Sequence, residues 1–374
     1  MPPQPPPNQL SLALLRAYAT GELPATSVRR LAAAAREDGW GDGSDLAERI
    51  ATAGNSGQQP GNISRDVLKA TALAGLLSSG SSPYEVAIPG ETKPAKIMLP
   101  HEVLCHAVAK SGGMEPWTLN QQELQEGRLG RLLRNWANHD DVQYTGPLDD
   151  VGIVGLHMDG VQYTTSNRAG GARSVVVCSI NVVSAKTPKL KNQRFPIFVL
   201  RKARLCGCGC QGYHTYQALL DVVAWSFRCL LEGQAPGARH DGSPFGAESE
   251  NAQRFPRGAA LPKFALLQIR SDWEQIVYTF RFRSFSSETF CWMCQAQKHG
   301  VMDFKNFSDD APHRGTQISH EDYVMDCAVS GNQPSFLFRS PGLLLPHIAV
   351  DAMHAGDLGP FQDRQLVRSV VFPT

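Results

Sequence analysis

The sequence predicts a mixed α/β protein, in which apolar strands form one sheet and helices pack against it. Three runs predict strands, because they are rich in the β-branched and aromatic residues that suit a pleated, half-buried surface: residues 151–159, 174–183 and 195–203. A strongly apolar helix is predicted over residues 215–232 and a fourth strand over residues 264–271. We expect the second strand to run antiparallel to the first, and the helix to pack on one face of the sheet.

Helical segments precede this sheet. Residues 1–79 carry a Pro-rich leader and several stretches with helical spacing, which predict a small helical module. Its Ala-rich helices with scattered Arg suit a DNA-binding head, and they equally suit a small helical adaptor. Residues 80–144 read as a linker followed by amphipathic helices at 100–110 and 120–137. The sheet is expected within residues 145–285, and residues 286–374 form the last segment.

Composition and charge limit the classes of protein to which this chain can belong. A hydrophobic fraction of 42% over 374 residues is that of a soluble protein with room for two domains. Lys and Arg number 36 and Asp and Glu 35, so a nucleic-acid partner would need a local basic patch. The N-terminus lacks a signal peptide, and no apolar run reaches the roughly 18 residues of a spanning helix. We therefore expect an intracellular protein with no membrane partner.

Two aspartates follow predicted strands. Asp159 ends the first strand and Asp272 ends the fourth, and we expect these strands to be neighbours. Carboxylate oxygens are hard ligands, so the two residues suit Mg²⁺ or Mn²⁺. A two-metal site of this kind activates a water or a 3′-hydroxyl and stabilises the leaving oxygen. Each residue also has a simpler interpretation, Asp159 as part of an Asp-Gly turn and Asp272 as a helix N-cap.

Cysteines are clustered in a way that suits zinc. The chain has 9 Cys, an odd number, which favours metal binding or burial over a disulfide framework. One cluster places three thiols and an imidazole within nine positions, with glycines that can bend the loop: Cys206, Cys208, Cys210 and His214. The alternative is that these are reduced, buried cysteines. The isolated cysteines are expected in the core: Cys105, Cys178, Cys229 and Cys327.

A second cysteine pair has the spacing of a zinc-binding turn. Cys291 and Cys294 are separated by two residues, and they would supply half of a tetrahedral site. His299, His354 or members of the first cluster are the candidates for the remaining ligands.

The last informative motif pairs an acid with an imidazole. Asp351 and His354 are three residues apart, so at the start of a helix they lie on one face and suit a metal or a phosphate. Asp351 is equally an ordinary N-cap for a helix that begins at Ala352.

Taken in order, five features resemble the transposase domain of CACTA-type and related cut-and-paste DNA elements, and in particular the multi-copy transposase-like proteins of dinoflagellate genomes. They are Leu-His-Met-Asp159-Gly-Val, the two β-rich runs that follow it, Arg-Ser-Asp272-Trp-Glu, Phe-Cys291-Trp-Met-Cys294 and Val-Asp351-Ala-Met-His354. The resemblance covers residues 145–360. It implies an RNase H-like core with Asp159 and Asp272 as metal ligands, DNA as the ancestral substrate and a nuclear location.

The resemblance also implies what should follow these motifs. The family continues from the Asp-x-x-His through a helical insertion to a final strand and a helix that carries the third acidic ligand. This chain stops at Thr374, and neither Asp357 nor Asp363 matches such a helix. We therefore expect a partial RNase H-like sheet that lacks its final strand and helix, and an incomplete catalytic triad.

Two functional hypotheses result. The first is a transposase-derived protein that ancestrally cut and joined DNA by two-metal phosphoryl transfer and is catalytically incomplete. The second is a non-catalytic, zinc-stabilised DNA-binding or interaction protein in which the carboxylates are idle. A Cys-dependent enzyme is a third option, but no Cys stands beside an obvious His base in a strand-helix turn.

Overall fold

The computed structural model describes residues 9–19, 22–39, 45–55, 61–74, 82–162, 174–284 and 286–351. The chain divides into two compact units, Met1–Ser79 and Gly80–Thr374. Within the described ranges, every helix is too short or too polar to cross a membrane.

The first unit is a helical module. Its described helices are α1 (Gln9–Ala19), α2 (Ala25–Glu37), α3 (Asp45–Ala51) and α4 (Ile63–Leu73). Each helix contributes a fully buried apolar side chain to one shared cluster: Leu15, Val28, Ile50 and Val67. This confirms the helical N-terminal region that the sequence predicts.

The second unit begins with a hairpin and three helices. They are β1 (Tyr84–Val86), β2 (Ala95–Ile97), α5 (Pro100–Lys110), α6 (Gln121–Glu126) and α7 (Arg128–Ala137). The hairpin lies in the predicted linker, because strands of three residues are too short for their alternation to stand out in the sequence. The helix predicted over residues 120–137 is split at Gly127, whose extended backbone (φ −74°, ψ 164°) lies between α6 and α7.

A five-stranded mixed sheet forms the centre of the second unit. In chain order the elements are β3 (Val151–Gln162), β4 (Ser174–Val182), a short helix α8 (Pro188–Lys191), β5 (Arg194–Arg201), β6 (Lys263–Ser271) and β7 (Ile348–Val350). Their spatial order is β5-β4-β3-β6-β7. The β4 strand is antiparallel to both neighbours, whereas β6 is parallel to β3 and to β7. The predicted mixed sheet is confirmed, and its arrangement is compatible with an RNase H-like topology.

The edge strand β7 was not predicted from the sequence. It pairs in parallel with β6, with Ile348 opposite Ile269. It precedes Asp351, so it is not the strand that the resemblance places after the Asp-x-x-His, and the residues that follow Asp351 lie outside the described ranges. Three residues directly after Pro346 and His347 give no readable alternation, so periodicity could not reveal this strand. The fifth position of the sheet is therefore filled.

Four helices complete the described second unit: α9 (Tyr213–Glu232), α10 (Glu250–Arg254), α11 (Trp273–Phe280) and α12 (His320–Val329). The long helix α9 is the one predicted over residues 215–232. It is bounded by Gly212 (φ 85°) and Gly233 (φ 73°), both in the left-handed region that glycine adopts without steric cost.

Helices cover both faces of the sheet. Successive side chains of β3 point to opposite faces. Leu156 and Met158 belong to the same buried cluster as Phe227 of α9. Ile153 belongs to a second buried cluster with Leu133 of α7. The central strand is thus buried on both faces, and its chemistry is confined to its carboxyl-terminal end.

Candidate functional site

Three aspartates directly follow the last parallel pairs between β3, β6 and β7, and we call them the carboxylate row: Asp159, Asp272 and Asp351. Met158 of β3 pairs with Ser271 of β6, and Ser271 pairs with Val350 of β7. Each aspartate directly follows one of these paired residues. The three aspartates therefore lie side by side on three neighbouring strands, toward the carboxyl-terminal ends of these strands.

Asp159 lies inside a strand rather than in a turn. The β3 strand continues to Gln162, and Asp159 pairs with Val177 of β4. The turn interpretation of Asp159-Gly160 is therefore wrong. The pairing with β4 continues through Gln162 and the pairing with β6 ends at Met158, so the backbone that carries this carboxylate is held by β4 and begins directly after the β6 contact.

Asp272 has two roles in the geometry. It follows β6 directly, and it is also the N-cap of α11, where its Oδ1 accepts a hydrogen bond from the Gln275 amide at 2.5 Å. A side-chain cap of this kind satisfies an amide that has no partner within the helix. Both sequence interpretations of Asp272 therefore hold together. The Ser271 hydroxyl ties the strand end to β3 by donating to the Met158 carbonyl at 2.5 Å.

Asp351 is held by the sheet and by a histidine. Its amide donates to the Ser271 carbonyl at 2.8 Å, which extends the ladder beyond β7. Its Oδ2 lies 3.5 Å from Nε2 of His157. His157 precedes Asp159 by two residues on β3, so both side chains point to the same face of the sheet. Sequence reasoning missed His157, although this two-residue spacing on a predicted strand was the available signal.

The carboxylate row is not a closed metal site in this geometry. Among the described residues, its donor atoms do not form a group of three within 4.8 Å of one another. An ion such as Mg²⁺ binds oxygen ligands at 2.0–2.1 Å and usually keeps several waters, so side chains would have to move toward it. The predicted partner of Asp351, His354, lies outside the described residues, as does the helix predicted to begin at Ala352.

A second constellation does converge. We call it the Cys/His loop, and its donors all lie within 4.8 Å of one another: Cys206, Cys208, Cys210 and His214. The Cys206 sulfur is 3.0 Å from that of Cys210 and 3.9 Å from that of Cys208. Cys208 Sγ is 3.3 Å from Nδ1 of His214. Zn–S bonds of about 2.3 Å in a tetrahedron place sulfurs roughly 3.8 Å apart, so small side-chain shifts suffice. This group could hold a metal such as zinc.

The local sequence explains why the loop folds back on itself. Gly209 (φ 83°) and Gly212 (φ 85°) have left-handed backbone conformations, and a Cβ on Gly212 would lie 2.9 Å from Leu205 Cδ1. The Cys206 amide donates to Thr215 Oγ1 at 2.9 Å, which joins the start of the loop to the first turn of α9. The loop is thereby fixed to the N-terminal end of the main core helix.

The pair Cys291 and Cys294 is a weaker candidate. The interaction between the two side chains raises the pKa of the Cys291 thiol and lowers that of Cys294 to about 6. Within the described ranges, no third His, Cys, Asp or Glu joins them within 4.8 Å. His299, the candidate ligand five residues after Cys294, is therefore not part of a converged group with this pair. Zinc at this pair stays a prediction.

The isolated cysteines behave as core residues with one exception. Three are buried, namely Cys178, Cys229 and Cys327, whereas Cys105 is only partly buried. Burial raises the pKa of Cys229 to about 12, which keeps this thiol protonated and unreactive.

No protein-family model matches this sequence, and no curated protein matches it. The class of the molecule is therefore defined by its own geometry. It is a mixed α/β protein with a helical N-terminal region, a row of aspartates at one sheet edge, and a cysteine and histidine group that could hold a metal such as zinc.

Proposed function

We propose that this protein derives from a cut-and-paste DNA transposase of the RNase H-like class, and that the carboxylate row is its former two-metal centre. The observation that carries the proposal is the shared register of Asp159, Asp272 and Asp351, each directly after the last parallel pair of three adjacent strands. Two-metal phosphoryl transfer needs carboxylates on rigid elements, because it tolerates little misplacement of the ions. The central strands β3 and β6 supply that rigidity for Asp159 and Asp272, whereas Asp351 follows the edge strand β7.

The side chains of the row would hold Mg²⁺ or Mn²⁺, since carboxylate oxygens suit these hard cations. A bound pair of ions would supply an activated water or 3′-hydroxyl and would stabilise the leaving oxygen. The role of α11 is to orient Asp272, whose Oδ1 is fixed by the helix cap. His157 orients Asp351 through the 3.5 Å approach of its Nε2.

We further propose that this centre is weak. Asp272 uses one oxygen to cap α11, Asp351 lies against His157, and the donors of the row do not converge within the described residues. An ion would have to pull these side chains out of their present contacts. We therefore expect weak divalent-ion binding and little or no DNA cleavage.

The test compares Asp159→Asn with Asp140→Asn, an exposed acid on another part of the second unit. Mn²⁺ binding is measured by titration calorimetry, and nicking of supercoiled plasmid is measured in Mg²⁺ and in Mn²⁺. We expect weak Mn²⁺ binding that Asp159→Asn removes and Asp140→Asn leaves in place, with cleavage near background. If Asp159→Asn binds Mn²⁺ as the unchanged chain does, the proposed centre is wrong. Strong cleavage that Asp159→Asn abolishes would overturn only the claim of low activity.

A second candidate function is favoured by the Cys/His loop. The protein would be a non-catalytic, zinc-stabilised DNA-binding or interaction protein. Three thiols and one imidazole form a complete tetrahedral ligand set, which is typical of structural zinc sites. Elemental analysis of the purified chain, combined with the Mn²⁺ titration, distinguishes the two candidate functions. One zinc per chain without any Mn²⁺ binding that depends on Asp159 would favour the second function.

A further inference from the structure

One segment of the chain contains no acidic residue. We call residues 160–220 the acid-free run, because these 61 residues include no Asp or Glu. At the chain's average of 35 Asp and Glu in 374 residues, a stretch of this length would hold about six. It contains nine basic residues: Arg168, Arg173, Lys186, Lys189, Lys191, Arg194, Arg201, Lys202 and Arg204. The near-zero net charge of the whole chain therefore conceals a strongly basic segment.

The sheet brings part of this run to the carboxylate row. Val161 of β3 pairs with Val175 of β4, and Val175 pairs with Arg201 at the end of β5. Arg201 and the next residue, Lys202, thus lie at the same end of the sheet as Asp159. Both side chains are exposed.

Lys202 reaches across to β3. A Cβ built on Gly160 would lie 3.2 Å from Nζ and 3.3 Å from Cε of Lys202, so the ammonium lies over the residue that follows Asp159. This approach uses the space that any larger side chain at position 160 would fill. Because successive side chains of a strand point to opposite faces, this ammonium lies at the same end of the sheet as Asp159 but on the other face. Arg201 shares the face of Asp159, since it pairs through Val175 with Val161, two residues after Asp159.

The cations at this sheet end are not neutralised by described acids. Elsewhere in the run, Arg204 pairs with Glu91 at 3.1 Å and Lys186 pairs with Glu115 at 2.7 Å. Arg201 and Lys202 form no ion pair within 4.0 Å with any carboxylate in the described part of the chain. Exposed cations without an internal partner are the groups that release counterions when they meet phosphates.

We propose that Arg201 and Lys202 bind the phosphodiester backbone of a nucleic-acid strand and position it beside Asp159. The inference rests on the proposed function, because it assigns a substrate-positioning role at the same sheet end. Phosphate contacts fix the register of a strand without reading its sequence. The acid-free run therefore supplies the local basic patch that a chain of net charge +1 needs for this partner.

The test uses the full chain and a fluorescein-labelled 20-base-pair duplex, with binding followed by anisotropy between 50 and 200 mM salt. The variant is Arg201→Gln with Lys202→Gln. The matched control is Lys110→Gln with Arg128→Gln, which removes two exposed cations outside the acid-free run. Loss of two phosphate contacts should make the plot of log affinity against log salt shallower by about 2, and weaken binding roughly tenfold, in the variant alone.

Several results would refute the inference. The first is a salt slope in the variant that equals that of the unchanged chain. The second is a loss of affinity in the control as large as that in the variant. The third is displacement of the duplex from the unchanged chain by poly-glutamate as effectively as by unlabelled duplex. A single-stranded DNA and an RNA of the same sequence show which backbone is preferred. Asp159→Asn is measured in parallel. If it keeps the salt slope while the unchanged chain binds no Mn²⁺, the backbone contact stands and the proposed metal centre fails.

Discussion

Loss of metal from the Cys/His loop should destabilise the second unit measurably. The change to make is Cys208→Ser, because Cys208 is exposed and its removal costs little packing, whereas Cys210 is buried. Its sulfur approaches both Cys206 and His214, so the substitution removes one of four ligands. The loop is attached to the first turn of α9, so a bound metal would restrain the helix that fills the core.

The magnitude follows from linkage. Free zinc at 100 times its dissociation constant stabilises the folded state by about 2.7 kcal/mol. Unfolding entropy is about 2.1 cal/mol/K per residue, which gives roughly 0.6 kcal/mol/K for the second unit, Gly80–Thr374. The quotient predicts a fall in Tm of about 4 °C when the metal is removed.

Thermal unfolding by circular dichroism, with and without EDTA, checks this value. The unchanged chain, loaded with one equivalent of zinc, should lose about 4 °C on chelation. Cys208→Ser should start at the lower Tm and should not respond to EDTA. Cys105→Ser, a partly buried thiol on α5, is the control and should respond like the unchanged chain. An equal EDTA response in Cys208→Ser and in the unchanged chain would refute the reasoning.

Two further predictions concern acid pH and the cap of α11. Burial lowers the pKa of His101 to about 3 and that of His347 to about 4, so the native state binds fewer protons than the unfolded chain. The free energy of unfolding is therefore highest above pH 6.5, where both histidines are neutral in either state, and it decreases as the pH falls toward 4. The decrease between pH 7 and pH 5 is about 2 kcal/mol per histidine. Urea titrations at both pH values should show this loss, and His101→Gln should reduce it; an unchanged pH dependence in that variant would contradict the assignment. Asp272→Ala should cost about 1 kcal/mol through the lost cap, while Asp272→Asn should keep stability and lose Mn²⁺ binding. Equal stability of the two variants in urea would show that the cap is unimportant.

The long helices and strands were predictable because the composition and spacing of their own residues identify them. The three β-rich runs and the α9 segment have enough residues for composition and spacing to identify them, and Asp272 could be placed at a strand end from its position alone. The short elements were not predictable. The hairpin of β1 and β2 and the edge strand β7 have three residues each, and tertiary pairing rather than local preference defines them.

The two candidate sites differ in the same way. The Cys/His loop could be read from the sequence, because its four donors lie within nine positions and glycines turn the chain between them. The carboxylate row could be read only in part, because Asp351 joins it through β7, 79 positions after Asp272. The approach of Lys202 to Gly160 depends on two strand pairings and has no local signature.

The position of each strand in the sheet sets how fast its amides exchange with solvent. The β3 strand has hydrogen-bonded neighbours on both sides, so its amides open only when most of the sheet unfolds. The β7 strand has three residues at the edge and one neighbour, so it opens by local fluctuation. The backbone that carries Asp159 therefore opens rarely, and the backbone that carries Asp351 opens often. An ion or a nucleic-acid strand that bridges Asp159 and Asp351 would slow hydrogen exchange first at β7. The exchange rate of the β7 amides therefore shows whether a ligand is bound at the carboxylate row.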